Sequence, residues 1–117
     1  MRMLIKSLAL AASLSFAAGT AFADNLPIKF TLDWKAQGPH SWFYLAKEKG
    51  YFADEGLDVT IDQGEGSSAA VTRVMSGTYD AGFGDINALI RAAAKAPDEA
   101  PVMVYLVYNG APFAIIS

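Results

Sequence analysis

The chain has 117 residues, 9 basic against 12 acidic side chains for a net charge of −3, and no cysteine. An acidic chain without a basic run is a poor partner for nucleic acid or an anionic membrane surface. Without cysteine it has no disulfide framework, thiolate metal site or thiol nucleophile. The first 23 residues, MRMLIKSLALAASLSFAAGTAFA, carry Arg2 and Lys6, an apolar stretch from Leu8 to Ala18 and the small-residue pattern Ala21-Phe22-Ala23. That is the layout of a secretory signal peptide, cleaved after Ala23. Its apolar stretch is shorter than the roughly 20 residues that span a bilayer, so cleavage is expected rather than anchoring. Losing Arg2 and Lys6 leaves 7 basic against 12 acidic residues, a net charge of −5.

In LPIKFTLDW, Ile28, Phe30 and Leu32 alternate with Lys29 and Thr31, which predicts a strand ending at Asp33-Trp34. Gly38 and Pro39 break that pattern, and an aromatic-rich helix is expected from Ser41 to Lys49, closed by Gly50. Gly56 turns the chain into a second strand, LDVTID. A glycine loop then leads to a helix over Ser67–Met75. Tyr79–Phe83 reads as a short third strand. Asp85 is placed to cap a third helix, whose apolar face is Ile86, Leu89, Ile90, Ala93 and Ala94, and which Pro97 stops. The run PVMVYLVY reads as a fourth strand covered on both faces, and Phe113–Ile116 as the start of a fifth.

Alternating strands and helices with short connections predict an α/β fold, a mostly parallel sheet flanked by helices. Ligands of such sheets bind in the crevice outside the carboxyl ends of the strands. The candidates there are Asp33 and Trp34 with the loop to His40, Gln63 to Ser68, Gly84-Asp85, and Tyr108-Asn109.

Each candidate has a plain alternative. Gly64, Gly66 and Ala69 match the G-x-G-x-x-A outline of a dinucleotide loop, with Asp85 about twenty positions on. In a dinucleotide unit, however, that loop follows the first strand. Here a strand and a helix precede it, and an exported chain meets little soluble dinucleotide, so no cofactor is assigned. The same loop could hold an anionic group at the helix start through Gly66 and Ser67, or serve as a simple turn and cap, with Glu65 opposing a charged anion. Trp34 is either a ring that stacks on a flat ligand or a hinge aromatic. Asp33 either accepts hydrogen bonds from a ligand or ties down the Gly-Pro loop. His40, the one histidine, is either a polar contact or a structural residue, and it lacks the co-ligands of a metal site and the partners of a triad. Tyr108 either lines the crevice or leads out of the lobe. No catalytic residue and no metal ligand are assigned.

LDW followed by Pro-His and an aromatic helix, then KGYFADEGLDVTI, a Gly-Ser loop and helix, and SGTYDAGFGD together resemble the first lobe of the periplasmic substrate-binding proteins of ABC importers. Within that family the likeness is to the group for nitrate, sulfonate, taurine and thiamine-pyrimidine precursors. LDW with a nearby histidine is most similar to the pyrimidine branch. The resemblance implies the first lobe of a two-lobed, type II periplasmic-binding-protein fold, with residues 24–117 as an incomplete N-terminal lobe. It implies a non-enzymatic, periplasmic receptor, monomeric at full length, that captures a small-molecule solute and delivers it to an inner-membrane ABC permease. A thiamine-pyrimidine precursor or related heterocycle is the leading solute; the alternatives are a sulfonate, nitrate or taurine receptor, or a synthase-like enzyme. Trp34 would stack on the ligand, Asp33 and His40 would make polar contacts, and the loop at Gly66-Ser67 would face it. Amino-terminal sequencing of the exported protein is expected to begin at Asp24; an intact Met1 would replace cleavage by a retained anchor.

Overall fold

The computed structural model of the chain describes residues 24–110. The expected signal segment and the expected strand at 113–116 lie outside them. Three strands, β1 (Leu26–Thr31), β2 (Leu57–Asp62) and β3 (Ala81–Gly82), form one sheet in the order β2-β1-β3, with both pairings parallel. Between them run α1 (Ser41–Glu48), the one-turn α2 (Tyr51–Asp54) and α3 (Ser67–Met75); α4 (Ile86–Lys95) follows β3. The architecture is therefore the α/β one, a parallel sheet with flanking helices.

The register explains which residues are buried. Ile28 pairs with Val59 and Phe30 with Ile61, so the apolar members of both strands share one face, as the period of two requires. Onto that face α1 brings Phe43, whose ring lies 4.9 Å from Phe30. The opposite face is polar on β2, while on β1 it carries Thr31, fully buried along with its neighbour Leu32. There α3 packs, with Val74 reaching Gly82 of β3, and α4 in turn lies against α3. Lys47 of α1 donates to the carbonyl of Val59 at 2.6 Å. The bonds from Leu26 N–H to the Gly56 carbonyl and from Leu32 N–H to the Asp62 carbonyl show that the even-numbered carbonyls of β2 face β1. Val59 therefore points its carbonyl at the open edge, and Lys47 blunts that edge against pairing with another chain.

Several boundaries differ from expectation. β1 ends at Thr31 rather than Trp34, because Leu32 N–H makes the last bond to β2 and the chain then turns away. β3 is two residues long, although Asp80 N–H and Phe83 N–H donate to the Lys29 and Thr31 carbonyls on either side of it. α2 is an extra turn that Gly50 separates from α1. The expected fourth strand is a correction: residues 101–108 form no ladder with the described strands, and Val104 is 92% exposed. A continuous apolar run signals a segment that gains from cover on both faces, but strand geometry also needs a neighbouring edge to accept its backbone bonds.

The junction after β2 rests on Gly64. A Cβ there would lie 1.9 Å from the carbonyl oxygen of Leu32, a distance no side chain tolerates. Gly64→Ala is expected to destabilise the protein by more than about 2 kcal/mol, whereas Gly38→Ala, in open space, should change stability by under about 0.5 kcal/mol. Urea denaturation of the two variants checks this, and equal midpoints would refute the close approach.

Candidate functional site

At the carboxyl ends of the strands, two loops are joined backbone to backbone. Gly64 N–H donates to the Trp34 carbonyl at 3.0 Å, and Gly66 N–H to the Asp33 carbonyl at 2.6 Å. Gly66 adopts φ +118° and ψ 149°, a region essentially closed to residues with a Cβ. These two glycines therefore hold the Asp33-Trp34 corner against the start of α3. Two of the loop's backbone donors, the N–H groups of Gly64 and Gly66, are therefore bonded within the protein rather than left for a dinucleotide phosphate. The G-x-G-x-x-A outline is thus explained by close approach of two loops.

Asp33 faces His40. His40 Nε2 lies 2.9 Å from Asp33 Oδ1, and Gln37 N–H donates to His40 Nδ1 at 3.2 Å. His40 N–H also donates to the Gln37 carbonyl at 2.9 Å, so residue 37 clasps residue 40 through both of its backbone groups. The imidazole is 4% exposed and meets Phe83 edge-on, with centroids 5.8 Å apart. Phe83 touches Phe43 at 5.4 Å and Tyr108 at 6.4 Å, and Tyr108 lies 5.7 Å from Trp42. Pairs at such distances contribute about 0.5–1.5 kcal/mol each beyond their buried area.

The expected site residues fall into two groups. Asp33, Trp34, Gly66 and Ser67 come together: Trp34 is 48% exposed at the lip, and Ser67 opens α3 with no side chain capping it. Gly84 lies against Ser67, since a Cβ on Gly84 would sit 3.5 Å from the Ser67 Cβ. The remaining three serve neighbouring structure. His40 is turned inward onto Asp33. Tyr108 belongs to the aromatic cluster with Trp42 and Phe83. Asp85 caps α4, its Oδ1 accepting from Asn87 N–H at 2.6 Å and from the Asn87 side-chain amide at 2.8 Å. The backbone bond from Asn87, and after it the side-chain bond, hold the Asp85 carboxyl below the ordinary aspartate range.

Arg73 is a residue the sequence reading passed over. Its guanidinium donates to Thr31 Oγ1 at 3.1 Å and to the Gln63 carbonyl at 3.0 Å, lies 3.7 Å from Glu65, and stacks 5.6 Å from the Tyr79 ring centroid. Partial burial, and then the hydrogen bond to Asp62, push the Tyr79 hydroxyl up in pKa. The available signal was a cation between Ala70 and Val74, inside the apolar stripe of α3. Arg73 ties α3 to the ends of β1 and β2, so its charge is already committed. The acidic groups Asp33 and Glu65 remain at the crevice. Two concavities lie elsewhere, an apolar one of about 180 Å³ between the sheet face and α1–α2 and one of about 290 Å³ between α3 and α4. Neither brings an exposed aromatic ring beside a polar acceptor. No group of three His, Cys, Asp or Glu side chains suited to a metal ion occurs among the described residues.

The NMT1/THI5 like family model matches residues 37–117. The chain belongs to this family. Individual relatives align over shorter stretches. A 4-amino-5-hydroxymethyl-2-methylpyrimidine phosphate synthase of Candida albicans is 43% identical over 56 residues, 48% of this chain and 16% of that protein. The synthase of the same name from Aspergillus parasiticus is 39% identical over the same length and the same shares. A formylaminopyrimidine-binding protein of Halalkalibacterium halodurans is 50% identical over 34 residues, 29% of this chain and 10% of that protein. The chain thus spans about a sixth of the fungal relatives or less of the bacterial one. No solved structure gives a significant match. The parallel sheet with flanking helices fits a fragment of a periplasmic-binding-protein fold.

Removal of the α4 cap by Asp85→Ala is expected to cost about 1 kcal/mol at neutral pH. Because the folded-state pKa of Asp85 is depressed, the cap contributes fully above the unfolded aspartate pKa of about 3.9. It is lost as pH falls through the lower folded value. Denaturation curves of the two proteins should therefore converge in acid; a gap independent of pH would exclude the carboxylate as the cap.

Proposed function

We propose that the protein is the substrate-binding component of an ABC importer and that it captures a small neutral heterocycle of the thiamine-pyrimidine type. The observation that carries this reading is the pair of consecutive residues at the crevice end of a parallel sheet, Asp33 with a partly exposed acceptor carboxylate and Trp34 with a half-exposed ring. A flat heterocycle with an amino group would donate to the first and stack on the second. The signal-like leader supports export to the periplasm, and the bacterial relative named for binding formylaminopyrimidine supports the solute class. A receptor of this kind passes its ligand to an inner-membrane permease and needs no catalytic group. It would act as a monomer, with a second wall closing over the ligand by hinge motion.

Charge argues against the sulfonate, nitrate and taurine alternative. Asp33 and Glu65 would repel an anion, and Arg73 is engaged by Thr31, Gln63 and Glu65. A second reading, a pyrimidine phosphate synthase, draws support from the longer stretch aligned with the two fungal enzymes. It requires a reactive side chain, whereas both ring nitrogens of the single histidine are already engaged.

Titration of the full-length protein with 4-aminopyrimidine, taurine and nitrate separates these readings. The pyrimidine should bind, the anions should not, and Trp34→Ala should weaken binding about tenfold, the equivalent of about 1.4 kcal/mol. Preferential binding of an anion would overturn the pyrimidine assignment, and formation of a pyrimidine phosphate would establish the enzyme.

A further inference from the structure

The deepest polar contact of the site is buried behind the residue that faces the crevice. His40 Nδ1 accepts the Gln37 N–H at 3.2 Å, so that nitrogen carries no proton. Its partner Nε2, 2.9 Å from Asp33 Oδ1, is then the protonated nitrogen and donates. The imidazole has no further hydrogen-bonding capacity, and at 4% exposure it offers no surface to a solute. On the Asp33 side, Oδ1 is occupied by His40, the backbone carbonyl is occupied by Gly66 N–H, and Oδ2 makes no hydrogen bond among the described residues. The Asp33 side chain is partly exposed, at 27%.

We propose that His40 is a positioning residue that holds Asp33 with Oδ2 directed to the ligand, so that the site selects solutes presenting an N–H donor beside a stackable ring. This rests on the pyrimidine-receptor reading and deepens it, by assigning recognition to one carboxylate oxygen and a supporting role to the histidine. A carboxylate held in one orientation loses little freedom when a donor arrives, which is the advantage of preorganisation. It also rejects ligands that lack the donor, because a site built around a buried or half-buried polar group loses that group's partner when the donor is missing.

The lone histidine makes the arrangement directly observable. Selective isotope labelling of histidine in the 117-residue chain yields one imidazole, and its nitrogen shifts report the tautomer. The Nε2–H form is expected, with Nδ1 unprotonated; the Nδ1–H form, or an averaged pair of nitrogens, would overturn the proposal without any ligand. Asp33→Asn should shift Nε2 alone.

Binding then tests the consequence in the full-length protein, with 4-aminopyrimidine and amine-free pyrimidine as probes. Asp33→Asn should erase the preference for the amine, a loss of about ten- to a hundredfold for a hydrogen bond to a charged group. His40→Gln, whose amide can still donate to Asp33, should retain most of the preference. His40→Phe, which keeps ring volume against Phe83, should lose it. Once Asp33 is Asn, His40→Phe should have no further effect on the preference. If His40→Phe keeps the preference, the histidine is structural only; if it acts independently of Asp33, the histidine touches the ligand, and the proposal fails in either case. Should neither probe bind, the pyrimidine reading fails, while the tautomer still decides whether His40 positions Asp33.

Discussion

Gly64 approaches the Leu32 carbonyl more closely than any residue with a side chain could, and the geometry of the crevice follows from that approach. It lets the loop after β2 lie along the end of β1, where Gly64 and Gly66 N–H groups meet the Trp34 and Asp33 carbonyls. Had the loop been pushed outward, α3 would start elsewhere, Arg73 would lose its reach to Thr31 and the Gln63 carbonyl, and Asp33 would turn on a free backbone. One missing methyl group therefore couples sheet register, helix placement and the orientation of the Asp33 carboxylate.

The same contact changes the meaning of a familiar motif. Two glycines between a strand and a helix are compatible with a phosphate cradle because both uses need a backbone without a Cβ. What separates them is the destination of the N–H groups. In a cradle they are left for the ligand; here they are bonded to the neighbouring loop, and Glu65 stands between them. The glycines serve closeness to protein rather than closeness to an anion, and the surrounding charge agrees with that assignment.

Much of the fold was legible because local and tertiary demands coincided. Ile28, Phe30 and Leu32 alternate as a half-buried strand must, and Asp85 before an apolar helical face is both the local cap and the observed one. Legibility ended where a side chain's role depends on a distant partner. His40 stood open between a polar contact and a structural residue because a solitary histidine near a crevice has free nitrogens on paper; the clasp from Gln37 and the turn toward Asp33 engage both. Arg73 left only a cation inside an apolar stripe as its signal, since its partners on β1, the loop after β2 and Tyr79 are brought together only by the crossover. The run at 101–108 misled in the opposite direction: its apolarity is genuine, but strand pairing is a property of an edge as much as of the segment.

The contrast between the two rings that border His40 and Asp33 shows where the fold spends stability. Phe83 is inserted between the imidazole, Phe43 and Tyr108, so it rigidifies the support of the carboxylate. Trp34, one residue beyond Asp33, is half exposed, though a side chain of its size would stabilise the protein by about 25 cal/mol for each Å² of apolar surface it buried. The backbone carbonyl of Trp34 accepts from Gly64 N–H, so the corner that carries the ring is held at its backbone. An acceptor held by His40 and a half-exposed ring on adjacent residues are the two features on which the proposed recognition of a planar, hydrogen-bond-donating solute rests.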